Sequence, residues 1–466
     1  MKKLLNWIIP AAFGIGLWFI PTPEGLTPQS WHLFAIFVAT IVGFITQPLP
    51  IGGVSIVVIT VAALTGTLKI GEAISGFANS AIWLIVGAFL FSRGFIKTGL
   101  GKRIAYNLIA AFGSSSLRLS YALALSDLIL APATPSNTAR VGGVIMPITT
   151  SLAKAFGSEP QDGPRKIGSF LMQSIYQVNT ITSAMFQTSM AGNTLVAALA
   201  LQSFGIGITW GDWAMAAIVP GIIALIIMPY FIYKVYPPEI KDAREAQQMI
   251  REELKGLGKM SFQEWVMLGV FVLALVLWAT SQFTKIDATT VAFLGISILL
   301  ATGVLIWDDV KSEKGAWDTL VWMGTLMGFA GFLSKLGFIK WATVLVGGYI
   351  PEGSWIIAFV IAVLINTYSH YVFASLTAHI SAMFVAFSAI AISAGAPPML
   401  TLLMIAFTSN LCMSLTHYAA GPSPVIFNTG YVPQNTWWKL GFFSSVINLI
   451  IFVGLGSIWM KAIGMW

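Results

Sequence analysis

The chain has 466 residues, of which 57% are hydrophobic and only 9% charged, with a mean hydropathy of +0.83. A soluble surface needs roughly 25% charged residues, so a water-soluble globular protein is excluded and an integral membrane protein is expected. The formal net charge of +7 is spread along loops rather than gathered into a patch, which argues against a nucleic-acid partner, and the single Cys412 excludes an intramolecular disulfide.

In chain order, Met1-Lys2-Lys3 followed by Leu4 to Ile20 has the outline of a signal peptide. No small-residue cleavage site follows, only Pro21-Thr22-Pro23-Glu24, so the segment reads as a first span. Apolar runs near 4–21, 31–49, 52–68, 79–98, 167–204, 210–234, 262–282, 288–306, 317–333, 398–427 and 437–463 predict about eleven transmembrane helices. They lack the short alternation of barrel strands, and in lipid a helix satisfies its own backbone. Two further apolar segments, 119–152 and 354–396, are too long for one crossing and carry polar residues at mid-length. Each is either two spans or a re-entrant hairpin.

With the N-terminus in the cytoplasm, 18 Lys and Arg residues fall inside, and only Lys69, Lys285, Lys335, Lys340 and Lys461 fall outside. This is the asymmetry expected of a correct multi-pass topology, and the short N-terminus without a transit-peptide pattern fits a cell inner membrane. Hairpins and complete span pairs give the same sidedness, so the bias leaves that choice open. The charged stretch Pro237 to Glu264 reads as a cytoplasmic helix joining two halves of five spans each. An odd number of crossings forces the halves to face opposite ways, giving the inverted repeat of secondary transporters, whose substrate binds where the halves meet.

The repeat has a polar signature. Ser136-Asn137-Thr138 returns 239 residues later as Ser375-Leu376-Thr377, and Trp83 meets Trp322 at the same offset. Pro132 and Pro135 break the first limb, and Ser136, Asn137 and Thr138 are good N-caps for a second. A half-helix N-terminus suits a carboxylate, and nearby carbonyls suit a cation. The alternative is a plain loop between two full spans. The second copy has no proline at its tip, so its hairpin reading rests on the repeat, and Leu376 cannot coordinate a cation as an amide can. Two more breaks lie within spans, one at Ser189 to Thr194 containing Gly192 and Asn193, the other at Thr416, His417 and on to Gly421, Pro422 and Ser423.

Several longer runs carry a resemblance: Trp31 to Phe37, Ala131 to Arg140, Tyr236 to Lys241, Lys314 to Trp322, and Leu415-Thr416-His417-Tyr418. Through them the chain resembles the divalent anion/sodium symporter family, and within it the dicarboxylate exchangers of the 2-oxoglutarate/malate and citrate/succinate type. The resemblance implies an all-α membrane homodimer of eleven spans plus two re-entrant hairpins in an inverted repeat. In it a transport domain moves as an elevator against a scaffold. It further implies a scaffold at 1–116 and 262–350, a transport domain at 117–236 and 351–466, and a linker at 237–261. Substrate binding would fall to Ser136, Asn137, Thr138, Gly192, Asn193, Ser375, Thr377, Thr416, His417, Gly421, Pro422 and Ser423. In sodium-coupled relatives both tips read Ser-Asn-Thr. Leu376 therefore points to the exchanger branch, with a residual sodium site at Ser136, Asn137 and Gly192 as the alternative.

Two buried carboxylates need an offset. Arg140, His370, His379 and His417 are the candidates. Against this, Arg140 has Asp127 in the same hairpin as a rival partner, although on a straight helix their levels differ, and the alternative for the histidines is a helix cap or a backbone contact. No cofactor is called for. An intramembrane enzyme is disfavoured because no His-Glu-x-x-His pair exists, and His370 and His379, nine apart, would not share the face of one helix.

Overall fold

The computed structural model describes residues 2–347 and 355–466. The expected boundary between 350 and 351 lies outside the described residues. Among these the regular secondary structure is helical, apart from one isolated bridge between Ser115 and Asp242. Seven helices are long and apolar enough to cross a membrane: Pro28–Thr46, Ser80–Thr98, Trp210–Val235, Phe262–Ala279, Trp355–Val372, Leu376–Ser393 and Gln434–Ala462. Shorter apolar helices lie at Leu5–Trp18, Ile51–Leu64, Ala288–Ala301 and Pro398–Ser414.

Local chemistry sets the ends. Thr27 accepts from the Ser30 N–H before a proline-led first turn, and Asn79 accepts from the Ala81 N–H to start Ser80–Thr98, which stops at left-handed Gly99. Gly76 lies against the helix Lys314–Lys335 so closely that a Cβ would collide with the Gly324 carbonyl and the Gly328 nitrogen. Two backbones meet there with no side chain between them.

The segments 119–152 and 354–396 both fold as helix, turn, helix. In the first, Ser116–Leu130 ends in a 3-10 turn at Ala131–Ala133. Helix resumes at Asn137–Arg140, passes a π turn at Val141–Ile145 and continues through Met146–Ala155. In the second, Trp355–Ser369 ends in a 3-10 turn at His370–Val372 and helix resumes as Leu376–Ser393. The two 3-10 turns lie 239 residues apart, the same offset as the serine motif. The spans expected at 167–204 and 398–427 are interrupted. Gly168–Met185 gives way to a 3-10 turn at Gln187–Ser189 before Ala191–Phe204, and Pro398–Leu411 to one at Cys412–Ser414 before Pro422–Phe427.

The charged linker forms the helix Arg244–Gly256, packed on Leu100–Phe112, with Gln247 and Arg251 both donating to the Ala110 carbonyl. Its leading strand is pinned to the start of the first hairpin: Ser116 N–H donates to Lys241 O at 3.0 Å and Ala243 N–H to Ser114 O at 3.1 Å. Arg103 in Leu100–Phe112 pairs with Glu264 (Nε to Oε1 2.5 Å) and donates to the carbonyls of Leu257 and Gly258, fastening the linker's end as well.

Candidate functional site

The four breaks in helix gather in one place. At the first tip the Ser136 hydroxyl accepts from the Ala139 N–H at 3.1 Å, and at the second Ser375 accepts from Ala378 N–H at 3.3 Å. Each serine starts a helix with the same bond, so Leu376 leaves the cap intact. What differs is the next side chain: Asn137 donates to Met413 Sδ at 3.4 Å, in the break of the second half, where Leu376 has only apolar surface to offer.

Contacts then run between the breaks. Thr188 donates to the Pro132 carbonyl, joining the first break to the first tip. His370 bonds the Ala419 carbonyl at 2.8 Å and Tyr418 donates to the Tyr371 carbonyl at 2.8 Å, joining the second tip to the second break. Across the halves, Asn410 donates to Asn193 Oδ1 at 2.7 Å. A Cβ on Gly421 would collide with Thr138 Oγ1, and one on Gly192 would sit 2.5 Å from Ile380. A side chain from the other half occupies the space at both crossings, and at Gly192 the flexible ends of Ile380 and Met190 share it.

Several expected residues are thereby committed to the protein itself. Asn193, fully buried, donates to the carbonyls of Ser183 and Phe186 while accepting from Asn410. Ser423 bonds Tyr176 Oη at 2.8 Å and accepts from Ala420 N–H, and Pro422 opens the short helix Pro422–Phe427. The Thr416 hydroxyl is buried with no hydrogen-bond partner, and Thr138 and Thr377 are half-buried. His417 accepts from Trp438 Nε1 on its Nδ1 at 3.0 Å, which fixes that nitrogen as the unprotonated one.

Arg140 supplies no uncompensated charge to this centre. The residue is 1% exposed, and its guanidinium pairs with Asp127 (Nε to Oδ1 2.8 Å) and donates to the carbonyls of Thr134 and Ser189 and the hydroxyls of Thr182 and Ser183. Asn179 and Thr182 also bond the Asp127 carboxylate. The level argument for a straight helix fails here because the chain doubles back at 131–136, bringing the two limbs side by side. A similar correction holds for His370 and His379. The chain is extended at Phe373 and Ser375, so the two rings fall in different elements and meet edge to face with centroids 4.8 Å apart.

Sequence reading missed Tyr176, Asn410 and Met413. Tyr176 donates to the Met413 carbonyl and sits near that of Thr416 as well as Ser423, holding the second break against Gly168–Met185. A signal existed: Gln173, Gln177, Asn179, Asn366 and Asn410 are amides inside apolar helices, and polar side chains at such depth mark function or interhelical bonding.

Apolar helices interrupted in matched pairs, with their free ends gathered between the two halves of the chain, define a membrane transporter. The model of the sodium:sulfate symporter transmembrane region matches residues 1–466. A putative malate transporter of Bacillus subtilis is 52% identical over 465 residues, covering 100% of this chain and 97% of its own. The chloroplastic dicarboxylate transporter 1 of Spinacia oleracea is 47% identical over 100% of this chain and 82% of its own, and an inner membrane protein of Escherichia coli is 39% identical over 100% and 98%. The crystal structure of a transporter from Alcanivorax borkumensis shares the fold, with a TM-score of 0.54 at 12% identity over 99% of this chain and 97% of that one. The chain belongs to the divalent anion/sodium symporter family.

Proposed function

We propose that the protein exchanges C4 and C5 dicarboxylates, of the malate, 2-oxoglutarate, succinate and fumarate class, across a cell inner membrane without sodium coupling. The observation that carries this reading is Leu376: the second tip keeps the serine cap of the first but has lost its amide. An apolar side chain cannot replace the water of a bound cation. Relatives named as malate and dicarboxylate transporters agree with the substrate class.

In this reading Ser136, Asn137 and Thr138 with Gly421, and Ser375 and Thr377 with Gly192, receive the two carboxylates at the ends of resumed helices. The free Thr416 hydroxyl and His417 lie alongside. Because Asp127 cancels Arg140, the offset for substrate charge falls to the helix ends; His370 and His379, expected to share it, are neutral rings whose Nε2–H groups are spent on the Ala419 and Asn366 carbonyls, and His417, with Nδ1 unprotonated, can add only a bond from its Nε2–H. Arg140 becomes a positioning residue that locks the first tip to the first break. Residues 117–236 and 351–466 move as an elevator against 1–116 and 262–350 in a homodimer, with the N-terminus and the linker 237–261 in the cytoplasm. An empty site does not cross readily, which makes exchange obligatory.

The test is flux into proteoliposomes, with or without internal malate and with sodium or potassium outside. Fast uptake only into malate-loaded vesicles, alike in both salts, is expected. Rapid uptake into empty vesicles would end the exchange reading. Sodium dependence would favour the second reading, a sodium-coupled symporter, for which the intact Ser136-Asn137-Thr138 speaks, with Ser136, Asn137 and Gly192 as the residual sodium site.

A further inference from the structure

Three side chains around the second tip have an arrangement that substrate binding does not explain. One ring nitrogen of His370, one of His379 and the sulfur of Cys412 all lie within 4.8 Å of one another, and all three residues are 0% exposed. Two independent features prepare them for a cation. First, Nε2 of His370 faces the Ala419 carbonyl and Nε2 of His379 the Asn366 carbonyl, each at 2.8 Å. A carbonyl only accepts, so both Nε2 atoms carry the proton and both Nδ1 atoms present a lone pair. Secondly, those two Nδ1 atoms are buried with no hydrogen-bond partner. Buried polar atoms are nearly always satisfied, and imidazoles whose far nitrogen donates to a carbonyl are the usual form of metal-bound histidine. The Cys412 thiol makes only a bond along its own turn, to the Ser409 carbonyl at 3.2 Å.

We infer that His370, His379 and Cys412 form a binding site for a divalent cation of the zinc class. Two imidazoles and a thiolate select zinc or a chemical neighbour over sodium, magnesium or calcium, which prefer oxygen. A tetrahedral ion with bonds of about 2.0–2.3 Å holds its ligand atoms roughly 3.3–3.7 Å apart, so the cluster closes by about 1 Å on binding and leaves a fourth position for water. Binding is balanced by loss of one proton, from the thiol to solvent. The bound ion would join the 3-10 turn His370–Val372, the helix Leu376–Ser393 and the turn Cys412–Ser414, so the second tip could no longer part from the second break.

Cobalt(II), which reports its ligands by absorbance, is the probe. Tag-free protein in detergent is titrated with Co2+ and then Zn2+, in parallel with Cys412→Ser and His370→Gln, and melting is followed in each. The expected result is one equivalent of Co2+ with the near-ultraviolet band of a thiolate ligand and the visible bands of a tetrahedral ion, all displaced by Zn2+. Zn2+ raises the Tm by a few degrees. Cys412→Ser loses the thiolate band and binds at least tenfold more weakly, while its metal-free Tm stays within a few degrees of wild type. His370→Gln loses the tetrahedral visible bands. No saturable cobalt binding, or a thiolate band that survives in Cys412→Ser, overturns the site. None of these readouts depends on transport, so the site stands or falls apart from the exchange reading.

Discussion

Asp127 and Arg140 form an ion pair within the first hairpin whose carboxylate also takes bonds from Asn179 and Thr182. With both charges buried, removing one partner strands the other, at a cost of about 3–5 kcal/mol. Asp127→Asn is therefore expected to melt well below wild type in detergent, while Asp127→Leu combined with Arg140→Met loses less than the single change. Equal melting of Asp127→Asn and wild type would show that the pair bears no strain. Asn193 and Asn410 form a lighter joint between the halves. Intramembrane polar bonds average about 0.6 kcal/mol, so a double-mutant cycle of Asn193→Ala and Asn410→Ala should give a coupling of that order. Each of these four residues could be picked out of the sequence as a polar group in an apolar run. Their partners could not, because pairing depends on where the chain doubles back.

At the scale of elements, the breaks are the device. Gly421 passes Thr138 with no room for a methyl group. Overpacking of this kind costs about 1–3 kcal/mol, and here it would push the first tip from the second break. Gly421→Ala is expected to lower exchange at least tenfold in reconstituted vesicles while the protein still purifies as a folded species. Wild-type rates in this variant would mean that the tip tolerates displacement. The break at the first tip was readable because prolines flank it, and glycine and proline announce the breaks within spans. The second tip carries no such mark. Its break comes from extended backbone at Phe373 and Ser375 and from the Ser375 cap, features that a run of apolar and aromatic letters hides. The meeting of His370 and His379 follows from that hidden break, and helical periodicity gave the opposite expectation.

For the molecule as a whole, the halves are fastened at the linker end by ion pairs between residues far apart in sequence, Arg103 with Glu264 and Lys97 with Asp309 at 2.5 Å. Partial burial works against ionisation of Asp309. The bonds from Lys97 and the Ile306 N–H, with Arg93 nearby, outweigh it and hold its carboxyl below the usual range. A depressed carboxylate stabilises the fold above its unfolded value, about 3.9, and that contribution is lost as pH falls through the lower folded value. The melting difference between wild type and Asp309→Asn should then be constant from neutral pH to about pH 5 and shrink below about pH 4. A difference that grows on acidification would contradict this. The all-helical membrane class was legible from hydropathy and charge alone, as was a charged helix within the stretch 237–264. The way the linker is tied back onto the first half was not, since it depends on main-chain bonds at 114–116 and 239–243 that leave no compositional trace.

The π turn at Val141–Ile145 bears on the ancestry of the two halves. Helix after the first tip runs over residues 137–155, and after the second over Leu376–Ser393, 18 residues and one fewer. The surplus residue is what a wider turn absorbs, since one residue removed from an i to i+5 bonding pattern leaves the ordinary i to i+4 pattern. A one-residue insertion in the first half relative to the second would be housed there, where Gly142 and Gly143 have no side chains to displace. Deleting Gly143 should restore a plain helix and be tolerated, whereas deleting Leu152, which is fully buried, should rotate the rest of the limb out of register and abolish expression. Expression levels of the two deletions decide it, and loss of both would mean that the surplus residue is fixed by function rather than by descent.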